Sequence, residues 1–288
     1  MASMRDIKRR KGSIQSTQQI TKAMKLVSTV KLQRAKQNAE CSKAYFDCMY
    51  ATVNNMLAKA GNLDHRFLRP GASDKKAVIV ITSNRGLAGG YNSNIIKLLT
   101  RGELKKEDLL IYTVGKKGKD ALSRSGYEIA ADLSEIVEEP AYADAMKVAE
   151  QLLASFAAGQ IGEIYLAYTR FKNTVSHEPT LIKLLPVERK EAGGAQEKDT
   201  GSRAQMGFEP EDDAALDMII PKYMTSLIYG GLLEAVASEN GARMQAMDSA
   251  TSNAEEMIED LTLKFNRARQ GSITQELTEI IAGAEAIS

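Results

Sequence analysis

The chain has 288 residues, 43% of them hydrophobic and 26% charged, with a net charge of +1. That is enough for one or two domains with a real core, and it leaves no global field that would attract nucleic acid or an anionic membrane. No apolar run approaches the roughly 20 residues needed to cross a bilayer, and no signal-peptide pattern opens the chain.

From about Ser3 to Ala60 there is no proline, and Gly12 is the only glycine. Apolar residues at Ile20, Ala23, Val27 and Val30 step by three and four. After a slip of one residue the stripe resumes at Ala35, Ala39, Ser42, Phe46, Met49, Val53 and Met56. This spacing predicts a coiled-coil helix over 1–60, ended by Gly61 and Pro70. Arg5, Lys8, Arg9, Arg10, Lys11, Lys22 and Lys25 crowd its start against Asp6, whereas Glu276, Glu279 and Glu285 close the chain without a basic residue after Gln270. The basic run reads as a solvated face or as a docking surface for an acidic partner. It lacks the interleaved aromatics of a nucleic-acid grip. Cys41 and Cys48 lie on the predicted helix about 10 Å apart along its axis, too far for a disulfide, and read as free thiols of a reducing compartment.

An α/β pattern is predicted over 75–190. Strands are expected at 77–82, 109–114, 163–171 and 180–187, with helices near Ile95–Leu99 and over 141–157, which implies a mainly parallel, Rossmann-like sheet. The turn from Asn84 to Asn92 follows a strand and opens a helix, where α/β proteins often cradle phosphate. It matches neither the dinucleotide-binding nor the P-loop spacing, and in Gly115-Lys116-Lys117-Gly118-Lys119 the next residue is Asp120, where a P-loop needs Ser or Thr. Tight structural turns are the expected reading. His65 and His177 are the only histidines and read as surface or loop residues, so neither a metal cluster nor a catalytic triad is expected.

Residues 191–209 are expected to form a polar, glycine-containing loop, and 210–288 a second long helix. Its seam runs Met247, Thr251, Ala254, Ile258, Leu261, Phe265 and Ala268, preceded by Leu216, Ile220, Tyr223 and Leu227. Such a helix would extend on the order of 110 Å, which no globular packing requires. The fold class expected is a long antiparallel two-helix coiled coil with an inserted Rossmann-like α/β domain. Gly230, Gly231 and Gly241 read as compliant points. Ile280, Ile281, Ala282, Ala284, Ala286 and Ile287 make the end of the helix apolar, which suits a surrounding sleeve better than a frayed end.

Three stretches carry a family resemblance. Met4-Arg5-Asp6-Ile7-Lys8-Arg9-Arg10 with Gln19-Ile20-Thr21-Lys22-Ala23-Met24-Lys25-Leu26-Val27 is similar to the N-terminal helix of the gamma subunits of F-type ATP synthase. Ser238 to Met247, and Asn266 to Leu277 running into Glu279-Ile280-Ile281-Ala282-Gly283-Ala284, resemble the C-terminal signatures of that family. The resemblance implies a central rotor shaft that couples ion-driven rotation of the membrane c-ring to the catalytic beta subunits. It implies no catalytic residue, cofactor or metal of its own. The implied partners are the alpha, beta, epsilon and c-ring subunits, with one copy per complex and no nucleic acid. The implied location is the cytoplasmic face of a bacterial membrane, reached only through the c-ring. It implies a beta-subunit catch at Arg269 and Gln270 supported by Thr274 and Glu276, and further beta contacts at Met24 and Arg243. Phe208-Glu209-Pro210 resembles the family's Tyr-Glu-Pro near the epsilon and c-ring foot. Asn84 and Ala88 stand where the family usually has Asp and Cys. The alternatives are an independent α/β enzyme or nucleotide-binding protein with coiled-coil arms, and a coiled-coil nucleic-acid binder.

Overall fold

The computed structural model describes residues 4–59, 65–187 and 212–285. The elements run α1 (Met4–Lys59), β1 (Lys76–Ile81), α2 (Tyr91–Thr100), a 3-10 turn (Lys106–Asp108), β2 (Leu109–Val114), α3 (Lys116–Arg124), β3 (Glu128–Asp132), α4 (Tyr142–Ala157), β4 (Glu163–Phe171), β5 (His177–Leu185) and α5 (Asp212–Glu285). They divide into two compact units, Lys31–Ala242 and Met1–Val30 with Arg243–Ser288. Both long helices contribute to both units. The polar loop at 191–209, together with Phe208 and Glu209, lies outside the described residues, as do Ala286 and Ile287.

In the larger unit the sheet order is β3-β2-β1-β4-β5, parallel except for β5, which pairs antiparallel with β4. β1 is central and buried on both faces, which is why it is a continuous β-branched run rather than an alternating one. Val78 and Val80 join Ile95, Leu99, Ile111 and Leu122 beneath α2 and α3. Ile79 and Ile81 face the opposite side, where α4 (Val148, Leu152), α1 (Val53, Met56) and α5 (Ile220, Met224, Ile228, Leu232) close the core. Strand β3 and helix α3 went unread in the sequence. β3 is a short edge strand whose burial only alternates, and α3 is nine residues of mostly polar composition.

Within this unit the glycines of α5 are packing sites, not compliant points. A Cβ on Gly231 would come 2.8 Å from a Leu166 methyl of the sheet, one on Gly230 would touch the Phe46 ring, and one on Gly241 would come 2.8 Å from the His177 ring. The absent side chains let α5 settle onto the sheet and onto α1. His65 lies in the loop after α1, as expected, but is buried there, with Nε2 3.1 Å from Asp217 Oδ1 and Nδ1 accepting the Phe67 amide. His177 opens β5 and is shielded on the face of the hairpin turned to Gly241.

On the sheet, Glu163 stands between two ammonium groups, Lys76 Nζ at 2.7 Å and Lys183 Nζ at 2.8 Å, and accepts the Tyr165 hydroxyl. Burial alone would push its carboxyl up, but the hydrogen bonds from Lys183, Lys76 and Tyr165 outweigh it and bring it down to about 2. A carboxyl held below its ordinary value stabilises the fold fully above about pH 4.5, and that contribution is lost as pH falls through about 2. With its side chain 18% exposed, the cluster falls between a surface and a buried ion pair. Glu163→Gln is therefore expected to cost about 2 kcal/mol at pH 7. In urea titrations its deficit against wild type should shrink as pH drops from 4.5 towards 2.

Candidate functional site

The smaller unit pairs α1 with α5. Gln18 donates to Glu255 at 3.0 Å, the Thr21 and Thr251 hydroxyls meet at 2.8 Å, and Lys25 binds Asp248. As the α1 position rises by seven, its α5 partner falls by seven, so the helices are antiparallel. The α5 seam is the expected one: Met247, Thr251, Ala254 and Leu261 are buried, and Ile258, Phe265 and Ala268 are half-buried.

The α1 seam in this unit is not the expected one. Ile20, Val27 and Val30 are 61%, 58% and 68% exposed, and Ala23 is exposed as well. The inward residues are Met4, Ile7, Lys11, Ile14, Gln18, Thr21, Lys25 and Ser28. In the larger unit Leu32, Ala35, Ala39, Ser42, Phe46, Met49, Val53 and Met56 continue the same spacing, so there is no slip. From Gln18 to Ser28 the face turned inward is polar, and α5 offers Glu255 to Gln18, Thr251 to Thr21 and Asp248 to Lys25. An Oγ or ammonium group in the seam then has a partner, as a buried polar group requires. The apolar stripe of α1 is left facing outward.

Extending the register from Gln18–Glu255 places Met4 opposite a position near 269. Arg269 and Gln270 thus sit where the described part of α1 begins, and α5 continues past them to Glu285. All four catch residues, Arg269, Gln270, Thr274 and Glu276, are exposed. At 3.6 residues per turn they form two rows, Arg269 with Glu276 and Gln270 with Thr274. Thr274 Oγ1 is tied back to the Gln270 carbonyl at 2.9 Å. Between the rows run Ile273, Leu277, Ile280, Ile281 and Ala284, at the i, i+4, i+7, i+8, i+11 spacing of an amphipathic helix face. They too lie open, with Ile280 68% exposed. This apolar strip lies on a different side of the helix from the seam and is not a continuation of it.

Met24 is half-buried and Arg243 is buried, and the structure does not bring them opposite each other. Met24 neighbours Lys25, which pairs with Asp248, so Arg243 lies about six residues further along, roughly 9 Å on the axis. Two of the expected beta contacts are therefore separate points rather than one patch.

Of the two turns weighed for phosphate, the one at Gly115–Lys119 is closed from within. Of the first-turn amides of α3, Lys116 N–H goes to Asn84 Oδ1 at 3.0 Å, Lys117 N–H to the Ser83 carbonyl at 3.0 Å and Gly118 N–H to Thr82 Oγ1 at 2.9 Å. The donors that a P-loop would turn to phosphate are already used by the turn after β1. Asn84 also donates Nδ2 to the Ser134 carbonyl at 2.9 Å, so its amide bridges in both directions, which a carboxylate cannot do. Ser83 and Asn92 close the same turn across its mouth. Among the described residues there is no cluster of three potential metal ligands, and no helix is long and apolar enough to cross a membrane. Cys41 and Cys48 are exposed free thiols.

The ATP synthase family model matches residues 3–287. The chain is 66% identical to the ATP synthase gamma chain of Lachnoclostridium phytofermentans over the full length of both. It is 39% identical to the sodium-ion-specific gamma chain of Acetobacterium woodii over 99% of each. Its fold is shared with a chain of the Euglena gracilis mitochondrial ATP synthase rotor (TM-score 0.62, 17% identity, 94% of this chain and 98% of that one). It is shared too with one from the central stalk and c-ring of the Tetrahymena thermophila enzyme (TM-score 0.57, 24% identity, 80% and 99%). A paired-helix unit with open outer faces, a Rossmann-like body whose α3 amides are satisfied from within, and agreement along the whole chain lead to one assignment: the chain belongs to the ATP synthase gamma-chain family, the central stalk of the rotary enzyme.

Proposed function

We propose that this chain acts as a non-catalytic shaft whose outward faces bear on the alpha and beta subunits while its body meets epsilon and the c-ring. The observation that carries this reading is the open apolar strip of Ile273, Leu277, Ile280 and Ile281, flanked by rows of polar residues at Arg269–Glu276 and Gln270–Thr274. Apolar area of this extent on a helix is favourable only when covered, at about 25 cal/mol per Å². A sleeve of subunits covers it without a fixed register, as a turning element requires. Ile20, Val27 and Val30 give α1 a comparable bearing surface.

Arg269 and Gln270 act as a polar catch for a beta-subunit loop. Guanidinium and amide groups make directional hydrogen bonds that hold one angular position and release it. Thr274 and Glu276 support the catch, and Met24 and Arg243 serve two further beta contacts. An asymmetric shaft inside three sites stabilises a different conformation in each, which is how rotation drives ATP synthesis or hydrolysis at distant centres. The chain lies at the cytoplasmic face of the bacterial membrane as a peripheral subunit and touches the membrane only through the c-ring.

Co-expression with alpha and beta subunits, followed by native mass measurement, tests the reading. One copy of this chain per assembly is expected. A stable assembly without it, or with two or three copies, would refute the shaft.

A further inference from the structure

The β4–β5 hairpin is docked on α5 at successive turns. Glu234 accepts the Phe171 amide at 3.3 Å, Ser238 Oγ donates to the Thr169 carbonyl at 3.0 Å, and His177 lies against Gly241. His177 pairs with Phe171 across the hairpin, with ring centroids 5.8 Å apart. The backbone of Gly241 leaves room for the imidazole where any Cβ would collide with it. Both ring nitrogens are shielded from solvent, and neither has a side-chain hydrogen-bond partner among the described residues.

A neutral imidazole tolerates such a site far better than an imidazolium, which needs two acceptors and solvation of its charge. Burial lowers the proton affinity of His177 below the ordinary histidine range, against slight support from the backbone at Thr174. Of the charged groups on the elements packed around it, Glu239 and Arg243 flank Gly241 on α5 and each has an interaction of its own. Lys172 pairs with Glu178 on the hairpin, Arg170 interacts with Tyr168, Glu234 holds the Phe171 amide, and Lys36 of α1 lies 5.0 Å over the Phe171 ring.

We propose that His177 is a proton-sensitive clasp: neutral, its ring seats the hairpin on α5 at Gly241, and protonated, it leaves that seat and frees the hairpin end. The device regulates the body of the shaft, and it stands on the packing of this unit whatever subunits surround it. The sign follows from linkage. The unfolded chain binds a proton near pH 6.5 and the docked ring does so only lower, so the clasp holds fully above that value and weakens as pH falls below it.

Native-state hydrogen exchange on the full chain at pH 7.5 and 5.5, corrected for intrinsic exchange rates, reads the clasp directly. Protection of the amides at 171–177 and 238–242 should fall by several-fold up to about tenfold at pH 5.5, relative to the β1–β2 amides. His177→Val should abolish that difference. Equal protection at both pH values in wild type, or an undiminished difference in His177→Val, would overturn the proposal. Gly241→Ala provides a second handle, because its methyl displaces the ring. It should show at pH 7.5 the loosened hairpin that wild type shows at pH 5.5, and a fully protected hairpin in this variant would count equally against the clasp.

Discussion

Arg269→Ala combined with Gln270→Ala is expected to lower ATP turnover of the assembled enzyme by about tenfold to a hundredfold with assembly unchanged. A hydrogen bond to a charged group is worth about 1.5–3 kcal/mol, and each 1.4 kcal/mol on a barrier is about a factor of ten. Neither side chain supports the fold. Both are exposed, and they lie at the end of the paired region rather than in its seam. The loss should therefore appear in turnover, while subunit stoichiometry and the thermal midpoint stay at wild-type values. Steady-state hydrolysis and a native gel together check this, and unchanged turnover would remove the catch assignment. The two-row arrangement adds a finer expectation. Glu276→Ala, in the row of Arg269, should weaken turnover less than Arg269→Ala, because a carboxylate cannot donate the charge-assisted hydrogen bonds that the proposed catch uses.

Gly115→Ala should cost the α/β body a large share of its stability. Gly115 precedes α3 with φ +117°, a conformation that a side chain strongly disfavours, and a Cβ there would stand 2.2 Å from the Thr82 carbonyl oxygen. That oxygen belongs to backbone and cannot swing aside. Backbone strain of about 1–3 kcal/mol then adds to displacement of the turn that caps α3, for a total of about 3–5 kcal/mol, a large share of a typical domain's stability. Gly12→Ala is the control, with nothing within 4 Å of the new methyl on α1. It should stabilise the helix by up to about 1 kcal/mol. Urea midpoints of the full chain should move in opposite directions for the two variants. A shift of less than about 1 kcal/mol in Gly115→Ala would show that the turn can rearrange.

The two long helices, the mainly parallel sheet and the α5 seam were all legible in the amino-acid sequence. Each rests on a strong local signal: unbroken spacing of threes and fours, a β-branched run bounded by turn residues, and the lack of proline. The sequence also carried the family motifs from which a catch at Arg269 and Gln270 is proposed. What it could not determine was which face of α1 turns inward. Reading the most apolar stripe as the seam put Ile20, Val27 and Val30 inside, yet Thr21, Lys25 and Ser28 occupy that place, and α5 presents a hydroxyl to Thr21 and a carboxylate to Lys25. A helix's own periodicity defines its faces but not their destinations, since the energy of burying a polar face depends on atoms supplied from more than 200 positions away. The same holds for the glycines of α5 and for His177. Flexibility and exposure were the natural local readings, and only tertiary packing turned Gly231 and Gly241 into contact points and set an imidazole against one of them. The closing of the turn at Gly115–Lys119 was likewise decided in three dimensions, where Thr82, Ser83 and Asn84 take up the amides that open α3.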